Sequence, residues 1–409
     1  MRIIYLHQYF RTPAMSGGTR SYEMARRLVA RGHEVHMVTA GDTGLRRGWT
    51  ETEEAGIRVH WCRVPYSNHM GFRARMIAFA RFSWLAARKA ASLDGDVIFA
   101  TSTPLSIALP AIWAARRSHA RMVFEVRDLW PEMPIAVGAL KNPFTIAAAR
   151  WLERMAYHNA AHVVALSPGM KAGIVSTGYP EDKVSVIPNS CDVELFDVDP
   201  EVGRRFRREH AWLGDRPLVV YAGSLGFLNG VDYLARLAAV VAQRDSEIRF
   251  LVVGSGRQEE SIRRAARSLG VLDRTFFMLP SVPKAAMPAV YSAADIATSL
   301  FLDIPQMGVN SANKFFDALA ARRPVAVNHH GWIADLIRQT DCGLVLDPTD
   351  LLASAERLLR AVRNRRWLAA AGAAAGRLGR ERFDRDLLAA QLAAVIENQP
   401  LTIPLRWAA

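Results

Sequence analysis

Short runs of consecutive apolar residues recur along this chain, among them Ile3-Ile4-Tyr5-Leu6, Val97-Ile98-Phe99-Ala100, Leu218-Val219-Val220-Tyr221 and Phe250-Leu251-Val252-Val253. Unbroken Val/Ile/Leu runs of this length mark strands buried on both faces, and the longer amphipathic stretches between them mark helices. The first half predicts strands at Ile3–Leu6, Val35–Thr39, Arg58–Cys62, Val97–Ala100, Met122–Val126 and His162–Leu166, with helices over Thr19–Arg31, Arg73–Ala91, Leu105–Ser118 and Pro143–Ala160. The pattern then starts again. Strands are expected at Leu218–Tyr221, Arg249–Val253, Thr275–Leu279, Ile296–Ser299, Val325–Asn328 and Gly343–Leu346, among helices that include Val231–Ala242, Lys314–Ala321, Leu351–Ala371 and a last one near Asp386–Asn398. Alternating elements of this kind predict two α/β domains, each a mostly parallel, doubly wound sheet with right-handed crossovers, facing each other across a cleft. The expected spans are 1–192, 193–382 and a terminal helix over 383–409 that crosses back onto the first domain.

Composition narrows the chemistry. With 409 residues and 50% hydrophobic content the chain can bury two cores of ordinary size. Cys62, Cys191 and Cys342 lie far apart with no metal-ligand spacing, so neither a disulfide framework nor a zinc site is expected, and a cytoplasmic setting fits. The start, MRIIYLHQYF, reads as a buried strand because its apolar run is too short for a secretory or spanning segment. The net charge of +13 admits nucleic acid, an anionic membrane or phosphorylated ligands as partners. Met70 to Ala90 interleaves arginines with Met70, Phe72, Met76, Phe79, Phe82 and Trp84. It reads either as a segment on an anionic bilayer, which would place the protein peripherally on the inner face of the plasma membrane, or as a basic surface helix with its aromatics inward.

Three places can carry chemistry. Gly17-Gly18 follows the first strand and precedes Thr19-Arg20, where main-chain amides can approach an anion closely; Gly223-Ser224 and Gly254-Ser255-Gly256 follow strands of the second half in the same way. The loop Asn310-Ser311-Ala312-Asn313 runs into a helix that opens with Lys314. Ser311 or Asn313 is expected to cap that helix, its amides and Lys314 to hold phosphate, and Asp317, on the same face as Lys314, to accept from ribose hydroxyls or else to pair with Lys314. Finally, Glu125-Val126-Arg127-Asp128-Leu129-Trp130-Pro131-Glu132 sits at the carboxyl end of a strand, the edge where open α/β sheets bind ligands. Glu125 and Asp128 can orient an acceptor hydroxyl there and Trp130 can stack on a sugar, a salt-bridged loop being the alternative. His7 closes the first strand. The Asp-x-Asp pairs read as caps and turns and the histidines lack HExxH spacing, so no metal is expected.

Taken in order, Gly17-Gly18, Gly32-His33-Glu34-Val35, Ser167-Pro168-Gly169, Lys183 to Asn189 with Asp192, Gly230-Val231-Asp232, Gly254-Ser255-Gly256 and Asp317 to Val325 resemble the family 4 retaining GT-B glycosyltransferases over nearly the whole chain. Asp128 to Glu132 with Asn313 to Asp317 is most similar to the branch that builds capsule, O-antigen and exopolysaccharide units, N-acetylfucosaminyl transferases included. The resemblance implies two Rossmann-like domains. The second binds a nucleotide sugar, most often UDP-linked, through Gly17, Gly18, Gly223, Ser224, Gly254, Val282, Asn310, Ser311, Ala312, Asn313, Lys314 and Asp317. The first binds a saccharide or polyprenyl-linked acceptor through His7, Arg20 and Trp130, with Glu125, Arg127, Asp128 and Lys314 as catalytic candidates. This chain has Val309 where the family often has its first glutamate, and Ser224 and Asn229 where an Arg and a Lys grip the diphosphate; Lys314 is the expected substitute.

The reaction so implied needs no metal or other cofactor. Negative charge growing on the departing diphosphate is met by amides and Lys314 while the acceptor attacks from the same face, as the ring becomes oxocarbenium-like. A UDP-sugar 2-epimerase of the same architecture is the alternative enzyme. A basic nucleic-acid binder is the non-enzymatic one, and no recognition-helix pattern supports it.

Overall fold

The computed structural model describes residues 1–15, 17–41, 48–65, 70–102 and 104–400, the side chain of Phe72 aside. The chain forms two compact units. One comprises residues 1–12, 19–188 and the chain from Asp386 onward; the other comprises residues 13–18 and 189–385. The loop that holds Gly17 and Gly18 therefore belongs with the second unit, and the last helix, Arg385–Glu397, with the first almost throughout.

The first unit is built on β1 (Arg2–Leu6), β2 (Glu34–Gly41), β3 (Trp49–Glu54), β4 (Ile57–Arg63), β5 (Val97–Thr101), β6 (Arg121–Val126), β7 (His162–Ala165) and β8 (Val184–Val186), in the order β3-β4-β2-β1-β5-β6-β7-β8. All neighbours run parallel except β3 with β4. The β3 edge was not expected, because Trp49 to Glu54 is mostly polar and only half covered; it pairs through a tight turn at Ala55-Gly56. The chain winds left from β1 and then right from β5, so the direction changes between β1 and β5. Two long-range contacts fasten the terminal helix here: Arg31 grips Glu397 through two 3.0 Å bonds, and Arg121 donates to Asn398 Oδ1 at 2.7 Å.

The second unit carries β9 (Leu218–Ala222), β10 (Arg249–Val253), β11 (Phe276–Leu279), β12 (Ile296–Ser299), β13 (Val325–Val327) and β14 (Gly343–Val345), ordered β11-β10-β9-β12-β13-β14 and parallel throughout. Its winding reverses between β9 and β12. Val219, Tyr221, Phe250 and Val252 are fully buried in one core with Leu234, Leu237 and Ile296, which is why these strands read as unbroken apolar runs. The expected single helix over Leu351–Ala371 is two, Leu351–Arg363 and Arg365–Arg382, because Asn364 takes an extended backbone and its side chain caps the second helix at Trp367 N. Helices Pro168–Ser176, Pro200–Glu209 and Trp332–Thr340 are additional to the expected set.

Two consequences can be measured. A Cβ at Gly343 would lie 1.9 Å from Val325 O, a backbone atom of the paired strand, so Gly343→Ala is expected to lower unfolding free energy by about 2–3 kcal/mol in a denaturant titration. Burial, with help from Lys89, lowers His60 to about 4, and burial beside Arg121 lowers His162 to about 4. The unfolded chain takes up these protons near pH 6.5 and the folded one does not, so stability falls as pH drops from about 6.5 to about 4. Thermal midpoints should follow that slope, and His60→Gln should flatten it.

Candidate functional site

Ligands of open α/β sheets sit at the carboxyl edge where the winding reverses. In the second unit that edge is formed by the ends of β9 and β12, and one side chain occupies it. Lys314, in the first turn of helix Asn313–Ala320, is buried with its Nζ 5.1 Å from the ring centroid of Tyr221 and 4.5 Å from that of Phe301. Tyr221 is the penultimate residue of β9, and Phe301 lies two residues past β12. Among the described residues no carboxylate pairs with Lys314, and burial lowers its ammonium to about 7. The rings supply the negative faces of their quadrupoles, which stabilise a cation far less than an anion would.

Glycines line the strand ends beside this side chain. At Gly223 a Cβ would sit in ordinary contact with Lys314 Cε, at 3.5 Å. At Gly254 a Cβ would fall 1.9 Å from Gly223 O, so only glycine fits. The amides of Gly223 and Gly254 already donate to Val253 O and Leu279 O, at 2.9 and 3.1 Å, so these glycines permit close approach of the loops without offering free donors. Ser224 accepts Tyr221 Oη on its carbonyl, and Val282 is half-buried in the loop after β11.

At the helix start the expected cap is absent. Ala312 is the N-cap residue and no side chain caps the helix. Ser311 cannot serve, because its Oγ accepts from Asn189 N at 3.2 Å and its carbonyl from Asn189 Nδ2 at 2.5 Å. Asn313 instead lies against Gly18: a Cβ on Gly18 would meet its Nδ2 at 2.9 Å. Gly17, beside it, has φ 127°. Asn310 gives its carbonyl to Trp332 Nε1 at 2.8 Å. Asp317 does not pair with Lys314. Lys284 reaches its Oδ1 at 2.5 Å and approaches Asp192 at 4.0 Å, and Arg385 pairs with Asp192 in turn, so the Asp317 carboxylate is engaged and the ribose role expected for it must compete with Lys284.

The first unit gathers the other candidates near its own reversal between β1 and β5. His7 is buried just past β1, and Arg127 follows β6 with its amide on Ser102 Oγ at 2.9 Å and its guanidinium 3.4 Å from His7 Nε2. Burial first, then Arg127 and Arg11, hold His7 well below the ordinary histidine range, so Nε2 is an acceptor at neutral pH. Asp128 and Trp130 are half-buried on the loop beyond.

Glu125 and Arg20 require correction. Both are buried; Arg20 donates to Glu125 Oε1 at 3.0 and 2.8 Å and to the carbonyls of Ile187 and Pro188, and Thr101 Oγ1 donates to Glu125 Oε2 at 2.6 Å. Burial alone would raise this carboxyl, but Arg20, Arg127 and the hydrogen bonds outweigh it and lower its pKa. A carboxylate so enclosed does not reach an acceptor, and a guanidinium with these partners does not bind one.

His329, just past β13, carries no motif in the sequence. It is buried, its Nδ1 donates to His330 O at 2.9 Å, and its ring meets Phe301 at 5.3 Å. Nε2 has no partner among the described residues. Burial and the neighbouring Lys314 lower His329 to about 4, which leaves a buried acceptor beside the lysine. Asn328 pins Phe301 at both its amide and carbonyl at 3.0 Å. Among the described residues no cluster of histidine, cysteine and carboxylate is arranged to hold a metal, and no helix is long and apolar enough to cross a membrane.

Two family models match in succession: the glycosyl transferase 4-like domain over residues 17–190 and the glycosyl transferases group 1 domain over residues 216–364. The GDP-mannose-dependent alpha-(1-6)-phosphatidylinositol monomannoside mannosyltransferase of Mycolicibacterium smegmatis is 27% identical over 268 residues, which cover 62% of this chain and 64% of that protein. In fold, the chain is similar to HepE of Anabaena in complex with UDP and glucose, with TM-score 0.73 and 16% identity over 97% of this chain and 99% of that one. WaaG, a glycosyltransferase involved in lipopolysaccharide biosynthesis, gives TM-score 0.73 and 17% identity over 96% and 99%. Two consecutive glycosyltransferase domains on two doubly wound parallel sheets place the chain in the family 4 GT-B glycosyltransferases.

Proposed function

We propose that this protein is a retaining, metal-independent transferase that moves a hexosyl or acetamidohexosyl unit from a UDP-sugar to a saccharide or polyprenyl-linked saccharide during surface polysaccharide assembly. One observation carries the reading: a buried lysine that no carboxylate among the described residues pairs with stands at the winding reversal of the second sheet, beside a helix start that no side chain caps. A diphosphate placed there gains the amides of that helix start, the partial positive charge of the macrodipole and a full charge from Lys314, all fixed before the reaction begins. His329 Nε2 accepts a hydroxyl of the donor. Arg127, with neutral His7 behind it, and Asp128 orient the acceptor in the first unit.

The polysaccharide assignment rests on the resemblance of Asp128 to Glu132 and Asn313 to Asp317. The mycobacterial relative is named for GDP-mannose and a lipid acceptor, so the base of the donor is the finer point to test. A thermal-shift screen of UDP-, GDP- and dTDP-sugars is expected to single out the UDP series; a response confined to GDP-sugars would overturn the UDP assignment. Product analysis without acceptor separates transfer from 2-epimerisation.

Lys314→Met tests the charge directly. Loss of one prepositioned charge is expected to lower kcat for transfer by roughly 100–1,000-fold, and an unchanged kcat would remove Lys314 from the mechanism. The same change should stabilise the fold. The folded ammonium loses its proton near 7 and the unfolded one near 10.5, so the destabilisation grows as pH falls through that window and is complete below it. The variant should therefore be more stable by on the order of 4 kcal/mol at pH 7 and no more stable above the window. Calorimetry of UDP binding at pH 8, in buffers of different ionisation heat, should report proton uptake in the native protein and none in Lys314→Met.

A further inference from the structure

The first unit presents an unusual outer surface on one side of its sheet. Connections that step from β4 to β5, β5 to β6 and β6 to β7 all move in the same direction across the sheet, so right-handed crossovers put helices Phe72–Ser92, Ala108–Arg117 and Pro143–Asn159 on one face. They are neighbours, the first packing on the second and the second on the third. Each turns a tryptophan outward: Trp84 is 66% exposed, Trp113 57% and Trp151 63%. Ile77 at 68% and Phe144 at 83% extend the same surface.

The exposed positions fall at helical spacing. On the first helix they run Arg73, Ile77, Arg81, Trp84, Arg88, so cationic and apolar side chains alternate along one stripe while Phe82 points into the core. On the second they run Leu109, Trp113, Arg116, Arg117. On the third, Phe144 and Trp151 are followed by Arg154. The first two helices contain no acidic residue, and the third contains only Glu153, which is buried against Tyr157. Monomeric soluble proteins seldom expose contiguous apolar surface of this kind without a binding role. Indole rings favour the headgroup region of a bilayer, and arginines that meet no acidic neighbour complement anionic lipid.

We infer that this three-helix face is a docking surface for an anionic lipid bilayer, with Trp84, Trp113 and Trp151 entering the headgroup layer and the interleaved arginines neutralising lipid phosphates. The docking is independent of the donor site, so it stands or falls apart from the proposed transfer reaction. A proteinaceous partner would be expected to need carboxylate or hydrogen-bonding counterparts, and the face offers few polar groups other than guanidinium.

Sedimentation of the full chain with vesicles decides the matter. The native protein is expected to bind phosphatidylcholine vesicles containing about 30 mol% phosphatidylglycerol at least tenfold more tightly than pure phosphatidylcholine, with the difference lost at high salt. The triple variant Trp84→Ser/Trp113→Ser/Trp151→Ser should lose about tenfold in partition while keeping its circular dichroism and its turnover of a soluble donor. Arg73→Gln/Arg81→Gln/Arg88→Gln should lose selectively the preference for anionic vesicles. A native protein left in the supernatant with anionic vesicles, two variants that bind as the native protein does, or stoichiometric capture of a soluble protein on this face with no vesicle binding would each overturn the inference.

Discussion

The second unit is organised around an ammonium that the fold does not neutralise. Moving a lysine out of water without a partner carboxylate is unfavourable, and the protein keeps one between the rings of Tyr221 and Phe301 at the point where its sheet reverses direction. Asp317, one turn along the same helix, could have paired with it, but Lys284 holds that carboxylate with Asp192 and Arg385 beyond. The network thus has two effects. It balances Asp317 and Asp192 with Lys284 and Arg385, and it leaves Lys314 outside these ion pairs. Beside it, Gly254 lets the loops after β9 and β10 approach closely, and the start of Asn313–Ala320 has no side-chain cap.

The first unit treats its buried charge in the opposite way. Arg20 and Glu125 are enclosed, and their hydrogen bonds end on protein atoms: Glu125 on Arg20 and Thr101, Arg20 on Glu125 and the carbonyls of Ile187 and Pro188. A pair of this type contributes little net stability, because desolvation offsets the attraction, yet it is strongly unfavourable to break. Its effect is positional: it ties the helix Arg20–Ala30 and β6 to the chain at Ile187-Pro188. Near the same sheet edge lie His7, Arg127, Asp128 and Trp130.

Most strands were legible because parallel strands covered on both faces must be apolar along their whole length, and β1, β5, β9 and β10 are. The edge strand β3 is half-covered and reads Trp49-Thr50-Glu51-Thr52-Glu53-Glu54, so it carries no such signature. The break at Asn364 is a local side-chain event within a continuous helical pattern. At the candidate site, residue type marked the loops but not the pairings. That Gly18 lies against Asn313 and that Lys314 stands where the second sheet reverses is visible only in the folded chain. That Ser311 would bond Asn189, that Asp317 would choose Lys284 and that Glu125 would be sealed by Arg20 depends on residues 33 to 122 positions away, where no local rule reaches. His329 is unmarked in the sequence for the same reason, since what distinguishes it is a buried Nε2 with no partner among the described residues.

The placement of positive charge also accounts for the residues at Ser224 and Asn229. Neither presents a cation: Ser224 holds Tyr221 Oη on its carbonyl, and Asn229 Oδ1 accepts from Gly226 N at 3.2 Å to close the turn after β9. Two cations on an exposed loop would act through water and salt, which reduce a charge pair at 4 Å to about 1 kcal/mol. On the proposed reading, one ammonium in a desolvated setting would act on a diphosphate through a medium of lower effective dielectric, where the same separation is worth several times as much. Burial disfavours the proton on Lys314, so the full charge would be established as the anion arrives. Lys314 would for that reason discriminate a diphosphate from a neutral sugar better than it would attract anions from a distance, a task that falls to the net charge of +13 spread over the chain.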